Sequence, residues 1–225
     1  MDRLRLESQR HPAAALERVA PPVTAARRGA LGGLLRHLAH GERVAARIAR
    51  GQARLAPDPR AARFFASQAR QEAAHARVFD SAAAWLRVPA DAVAALPYDR
   101  YERRVQAAVD RGDLVEAVVG TQVVLEALGE ALLARLDAGL ARHGAGLPAL
   151  RRRIRAQEAA HHAFGRAQVA EWLRAGTLAP ADLACHLRDY RACADTLVCA
   201  AGPVLDHFGL APADIARDVA ARLAA

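Results

Sequence analysis

Gln71-Glu72-Ala73-Ala74-His75 and Gln157-Glu158-Ala159-Ala160-His161 are the same pentapeptide, repeated 86 residues apart. Glu and His at positions i and i+3 project from one side of an α-helix. Each copy can therefore bring a carboxylate and an imidazole to one point. A single E-x-x-H carries little weight in a helical chain with nine histidines. Two identical copies, each on the second helix of a hairpin, point to a duplicated helix pair.

The punctuation around the repeats sets that arrangement. A helical pattern runs from about Val23 to Leu55, and Asp58-Pro59 then supplies an N-cap and a first helical residue. The second helix is predicted to reach about Leu86, ahead of Pro89, followed by a looser, partly helical connection over residues 90–112. Asp113 caps a third helix reaching about Arg142, and His143-Gly144-Ala145-Gly146 makes the turn. A fourth helix runs from Pro148 to about Ala175 and is closed by Gly176. Pro180-Ala181-Asp182 opens a fifth, to about Phe208, and Pro212 opens a short last one. No stretch alternates with period two, so the fold class is all-α. The domain reading is an N-terminal arm over 1–22, a four-helix bundle over 23–175, and C-terminal helices packed on it over 176–225.

Antiparallel hairpins put residues equidistant from a turn at one height. Glu72 lies 15 residues after Pro57 and Glu42 lies 15 before it, each roughly 22 Å from the turn. Glu158 lies 16 residues beyond Arg142, and Glu126 lies 16 before it. Two independent hairpins thus place a carboxylate opposite each E-x-x-H. The chain has only ten glutamates, so filling all four heights by accident is less favoured.

Glu126 sits in Val123-Val124-Leu125-Glu126-Ala127-Leu128, an apolar setting in which a charge needs compensation. A metal supplies it; a buried pairing with arginine is the alternative. The candidate ligands are Glu42, Glu72, His75, Glu126, Glu158 and His161. Glu130, one turn past Glu126, is an alternative or additional ligand. His162 points about 100° away from His161 and is expected beside the site or at the surface. His40 is not expected to face the metal. Each ligating His needs an acceptor for its other ring N–H, and the sequence does not name those acceptors.

Two Glu on two helices and two E-x-x-H motifs on two others match the ligand set of carboxylate-bridged di-iron and di-manganese bundles. Carboxylates and imidazoles suit two Fe, with Fe/Mn or two Mn as alternatives, and the lack of thiolates argues against structural zinc. Phe64, Phe65, Phe79, Val123, Leu128 and Phe164 lie close enough in sequence to line an apolar pocket, with core packing as the plainer role. Gly129 leaves room for a small molecule or for a close helix contact.

At these residues the sequence resembles the ferritin-like di-iron carboxylate superfamily, over about Leu31 to Leu173. His40-Gly41-Glu42, Ala46-Arg47-Ile48 and Gly51-Gln52 resemble the first metal helix of demethoxyubiquinone hydroxylases. Glu158-Ala159-Ala160-His161-His162 is similar to that family's last motif. The charged run Tyr98-Asp99-Arg100-Tyr101-Glu102-Arg103-Arg104 departs from it, since those enzymes carry a membrane-associating apolar segment there. Length, ligand spacing and the extra C-terminal helices are similar to aldehyde-deformylating oxygenases and, more distantly, to tRNA-modifying hydroxylases.

The resemblance implies an O₂-activating oxidoreductase that oxidises a small organic substrate with electrons from a reductase or ferredoxin. A ferroxidase or rubrerythrin-like iron-handling protein and a tRNA-modifying hydroxylase are the alternatives. Against iron storage, the net charge is +8 and glutamate is scarce, whereas a mineral-nucleating cavity favours carboxylates. All 32 basic residues are Arg and are spread along the chain, so nucleic acid is permitted as a partner without being favoured. The three cysteines, Cys185, Cys193 and Cys199, lack C-x-x-C spacing and read as reduced packing residues. With no signal-peptide pattern and no apolar run of bilayer length, a cytoplasmic monomer or dimer is expected.

Overall fold

The computed structural model describes residues 25–88, 97–142 and 147–224. All regular structure among them is helical. The leading arm and the 143–146 turn expected from the sequence lie outside the described residues. Helices α1 (Ala25–Leu55) and α2 (Pro59–Trp85) form the first hairpin. Asp58 is extended, and its carboxylate accepts from the backbone N–H of Arg60 at 3.2 Å and of Ala61 at 3.1 Å. Two of the orphan donors at the start of α2 are satisfied in this way, with Pro59 at the first helical position.

The connection contains α3 (Tyr98–Asp110), whose charges are used for docking. Arg47 on α1 donates to Glu102 at 2.6 Å, and Arg104 donates to buried Glu116 at 3.1 Å. Asp113 then caps α4 (Leu114–Val118) by accepting from the Glu116 N–H at 2.8 Å.

The sequence predicts one uninterrupted helix from here to Arg142. The structure instead has a π-helical segment, Val119–Leu125, between α4 and α5 (Glu126–Arg142). Widening a helix by one residue per turn is unfavourable and persists where surrounding contacts hold it. Here the Tyr101 hydroxyl donates to the Gly120 carbonyl. Gly120 is pressed so closely on the Tyr190 ring that a Cβ would come within 2.7 Å of it. The stretch Leu114–Ala141 is also long and apolar enough to cross a membrane, contrary to the sequence expectation, but most of it is buried inside the bundle.

Helix α6 (Pro148–Arg174) completes the second hairpin and ends at Gly176, whose φ of 71° suits glycine. Helix α7 (Pro180–Ala200) stops earlier than predicted. Pro203 has no N–H to continue the ladder, and the chain restarts as α8 (Gly202–Asp206) before α9 (Pro212–Ala224). Cys193 is buried in the core as expected, whereas Cys199 is exposed rather than packed. The main core runs between α1, α3, the π segment, α5, α7, α8 and α9, with Val44, Tyr101, Val124, Tyr190, Leu205 and Ile215 among its members.

Gly165 is where α6 meets the π segment, and a Cβ there would lie 2.4 Å from the Gln122 Cβ and 2.9 Å from its carbonyl carbon. Backbone cannot give way as a side-chain tip can. Gly165→Ala should therefore destabilise the fold by about 1–3 kcal/mol in urea unfolding. Gly29→Ala in α1, with nothing within 4 Å, should be neutral or stabilising by up to about 1 kcal/mol. Equal effects at the two positions would contradict this packing.

Candidate metal centre

The two E-x-x-H motifs face each other across the interior from α2 and α6, with Glu42 reaching in from α1 and Glu126 from the start of α5. All six residues are buried, none more than 8% exposed. They form two groups whose ligand atoms lie within 4.8 Å of one another. One group is Glu42, Glu72, His75 and Glu158, and the other is Glu72, Glu126, Glu158 and His161. Glu72 and Glu158 belong to both. Either group could hold a metal ion.

The distances show how tight the convergence is. His75 Nδ1 lies 3.0 Å from Glu72 Oε2, 3.0 Å from Glu158 Oε1 and 3.6 Å from Glu42 Oε2. His161 Nδ1 lies 2.8 Å from Glu72 Oε1 and 3.9 Å from Glu126 Oε2. Yet His75 Nδ1, His161 Nδ1, Glu72 Oε2 and Glu158 Oε1 are all buried without a hydrogen-bond partner. Four orphaned atoms aimed at one another are costly in a protein interior. A cation between them removes that cost, and the oxygen and imidazole donors fit a hard or borderline divalent metal.

Electrostatics argue the same way. Burial, reinforced by the Glu158 charge, pushes the Glu42 carboxyl well above the usual range. Burial and the charges of Glu158 and Glu72 do the same to Glu126. Burial disfavours charge on Glu72 and His75 too, but their partners win. The two imidazoles hold Glu72 down to about 2. Glu158, Glu42 and Glu72 push His75 up to about 12. Without a cation the pocket thus balances its charge by retaining protons.

The acceptors that hold the histidines are the glutamines of the repeat itself, crossed between helices. Gln157 Oε1 lies 2.9 Å from His75 Nε2, and Gln71 Oε1 lies 2.7 Å from His161 Nε2. Each imidazole can donate from Nε2 and turn Nδ1 to the cluster. The signal was present in the sequence, as Gln directly precedes Glu in both copies.

A second set of glutamines supports the carboxylates. Gln68 Nε2 donates to Glu126 Oε1 at 2.7 Å and to Glu72 Oε1 at 3.0 Å. Gln122 Nε2 donates to Gln68 Oε1 at 2.9 Å, and Gln122 and Gln52 each donate to the other's amide oxygen at 2.8 Å. Gln68 and Gln122 were not singled out in the sequence, and Gln52 only as part of the first-helix resemblance.

The other residues singled out in the sequence divide between expectations met and expectations corrected. Glu130 does not join the cluster; it lies 3.2 Å from His162 Nδ1 and accepts from Arg222 Nε at 3.2 Å. Partial burial raises its carboxyl, but those two partners outweigh it and hold it below the usual range. His162 is buried next to His161, the first of the two places expected for it. His40 faces away, 3.3 Å from Glu102. Among the residues named for a pocket, Phe64 lines a cavity of about 470 Å³ between α2 and α6 and stacks on Phe164 at 3.6 Å. Phe65, Phe79, Val123 and Leu128 are instead core residues, because each points into a different seam of the bundle. Gly129 makes the close contact: a Cβ would lie 3.4 Å from Glu158 Oε2.

Metal uptake should release protons, because Glu42, Glu126 and His75 hold theirs to unusually high pH when no cation is present. Affinity should then fall as pH falls, by about a decade per pH unit for each proton displaced. Calorimetry in buffers of different ionisation enthalpy measures the number released, and none released would contradict it. Gln71→Leu should weaken metal binding by about 10–100-fold with helicity unchanged. The centre is thus an all-helical cage with a buried Glu/His cluster, compatible with a ferritin-like fold. No protein-family model matches the chain, and no curated protein is detectably similar to it in sequence.

Proposed function

We propose that the protein is a non-haem di-iron oxidoreductase that uses O₂ to oxidise a small organic substrate. The observation that carries this reading is the sharing of Glu72 and Glu158 between two four-residue donor groups. Glu42, Glu72, His75 and Glu158 would hold one cation and Glu72, Glu126, Glu158 and His161 a second. Four carboxylates and two neutral imidazoles balance two divalent ions. Bound iron would supply the electrons and open coordination positions for O₂ reduction.

The chain's own residues have defined tasks. Glu72 and Glu158 hold the two positions together, Glu42 with His75 define one of them, and Glu126 with His161 define the other. Gln71 and Gln157 fix which imidazole nitrogen faces inward, and Gln68 fixes Glu126 and Glu72. Reducing equivalents come from outside the chain, from a reductase or ferredoxin.

Anaerobic Fe(II) titration should load two ions per chain. Glu72→Ala or Glu158→Ala should abolish both, whereas Glu42→Ala should spare the site built on His161. O₂ uptake by the loaded protein should then be accelerated by one class of organic substrate. Uptake that depends only on added Fe(II) would indicate an iron-oxidising protein, and absence of stoichiometric metal would end the proposal.

A further inference from the structure

The cavity between α2 and α6 opens onto the outer side of His161, and its walls are chemically one-sided. Phe64, Ser67, Gln71, Arg153, Gln157 and His161 are among its lining residues, and none of the lining residues is acidic. Gln71 and Gln157 have committed their oxygens to His161 and His75. Their amide nitrogens make no hydrogen bond among the described residues and are left as donors. Arg153 is exposed and makes no ion pair among the described residues. Apart from the Ser67 hydroxyl, the polar side chains free to bind there are amide N–H donors and a guanidinium, which calls for a ligand rich in acceptor oxygen.

The order of these groups gives the ligand a shape. Arg153 precedes His161 by eight residues, about 12 Å of helix rise, with Gln157 between them on the same face. The Phe64 ring lies 6.1 Å from the His161 ring. Cation, amide donors and aromatic ring therefore follow one another along the groove.

We propose that this groove binds an elongated organic acid, with a carboxylate at Arg153, a carbonyl in its middle facing Gln157 and Gln71, and an aromatic or apolar end against Phe64. His161 turns Nε2 toward Gln71 and Nδ1 toward Glu72, so the ligand lies behind the imidazole rather than among the ligand atoms. It communicates with the centre through the amides that orient the two histidines. The site itself rests on groove geometry and not on the oxidase reading.

N-benzoylglycine has the required three parts and serves as the probe. Calorimetric titration of the full chain without metal should show binding. Arg153→Gln, a surface change that leaves the core untouched, should weaken it by about tenfold or more. The neutral primary amide of the same molecule and N-acetylglycine, which lacks the ring, should be weakened comparably. Side-chain amide NMR signals of Gln71 and Gln157 should shift. No binding up to ~10 mM, equal binding of the neutral amide, or indifference to Arg153→Gln would overturn the proposal. The same titration on Co(II)-treated protein, followed by visible absorption, separates the two readings. Acid binding without Co(II) uptake would support the groove and count against the metal centre; Co(II) uptake without acid binding would do the reverse.

Discussion

Four carboxylates cannot be buried together in a helical interior without positive charge to balance them, and every peculiarity of this protein's centre follows from that. Removing an ionised carboxylate from water costs several kcal/mol even after relaxation, and a second one a few ångströms away adds repulsion. Arginine is abundant but does not enter the cluster: among the described residues, the close partners of the four glutamates are each other, the two imidazoles and Gln68. The arginines are spent at the periphery, on Asp80, Glu102, Glu116, Asp137 and Asp218. A fold that keeps its many cations away from its most costly anions has left that place for something else.

Position is enforced from several directions. Asp58 fixes where α2 begins, and thereby the height of Glu72 and His75 relative to Glu42. On the other hairpin, the π segment just before Glu126 sets the rotation of the whole of α5. That segment is clamped by Tyr101 on its carbonyl, Tyr190 on Gly120 and Gly165 against Gln122. The contacts come from α3, α7 and α6, so helices far from the cluster in sequence decide where one of its ligands points. A departure from α-helical geometry beside the centre is a strained feature retained by the surrounding packing.

The hairpins, their turns and the six converging side chains were legible in the sequence because each depends on local rules: helix period, caps and equal distances from a turn. What was illegible depends on packing between distant segments. Nothing in Val119–Leu125 itself announces a π turn, since the contacts that hold it come from the Tyr101 hydroxyl on the Gly120 carbonyl and the Tyr190 ring against Gly120. Glu130 has the right period to join Glu126, yet Arg222 and His162 capture it, and Arg222 lies on the last helix. Phe79 and Leu128 have the right proximity in sequence to the ligands, but small rotations about their helices send them into separate cores. Gln71 and Gln157 were visible as part of the repeat; their role required knowing that the two helices cross at matching heights.

The choice of glutamine around the ligands closes the electrostatic argument. Five of the eight glutamines in the chain, at positions 52, 68, 71, 122 and 157, surround the cluster. An amide can accept from an imidazole as a carboxylate can, but it adds no charge. Had Gln71 and Gln157 been glutamates, two more buried or half-buried anions would have faced a site already holding four. Neutral amides give the histidines their orientation while leaving the charge count at four carboxylates, the number that two divalent cations cancel. They also differ from carboxylates on their outer side: a carboxylate there would present only acceptors, whereas the amide turns an N–H outward. The same substitution that keeps the interior neutral thus gives the groove behind His161 its donor character.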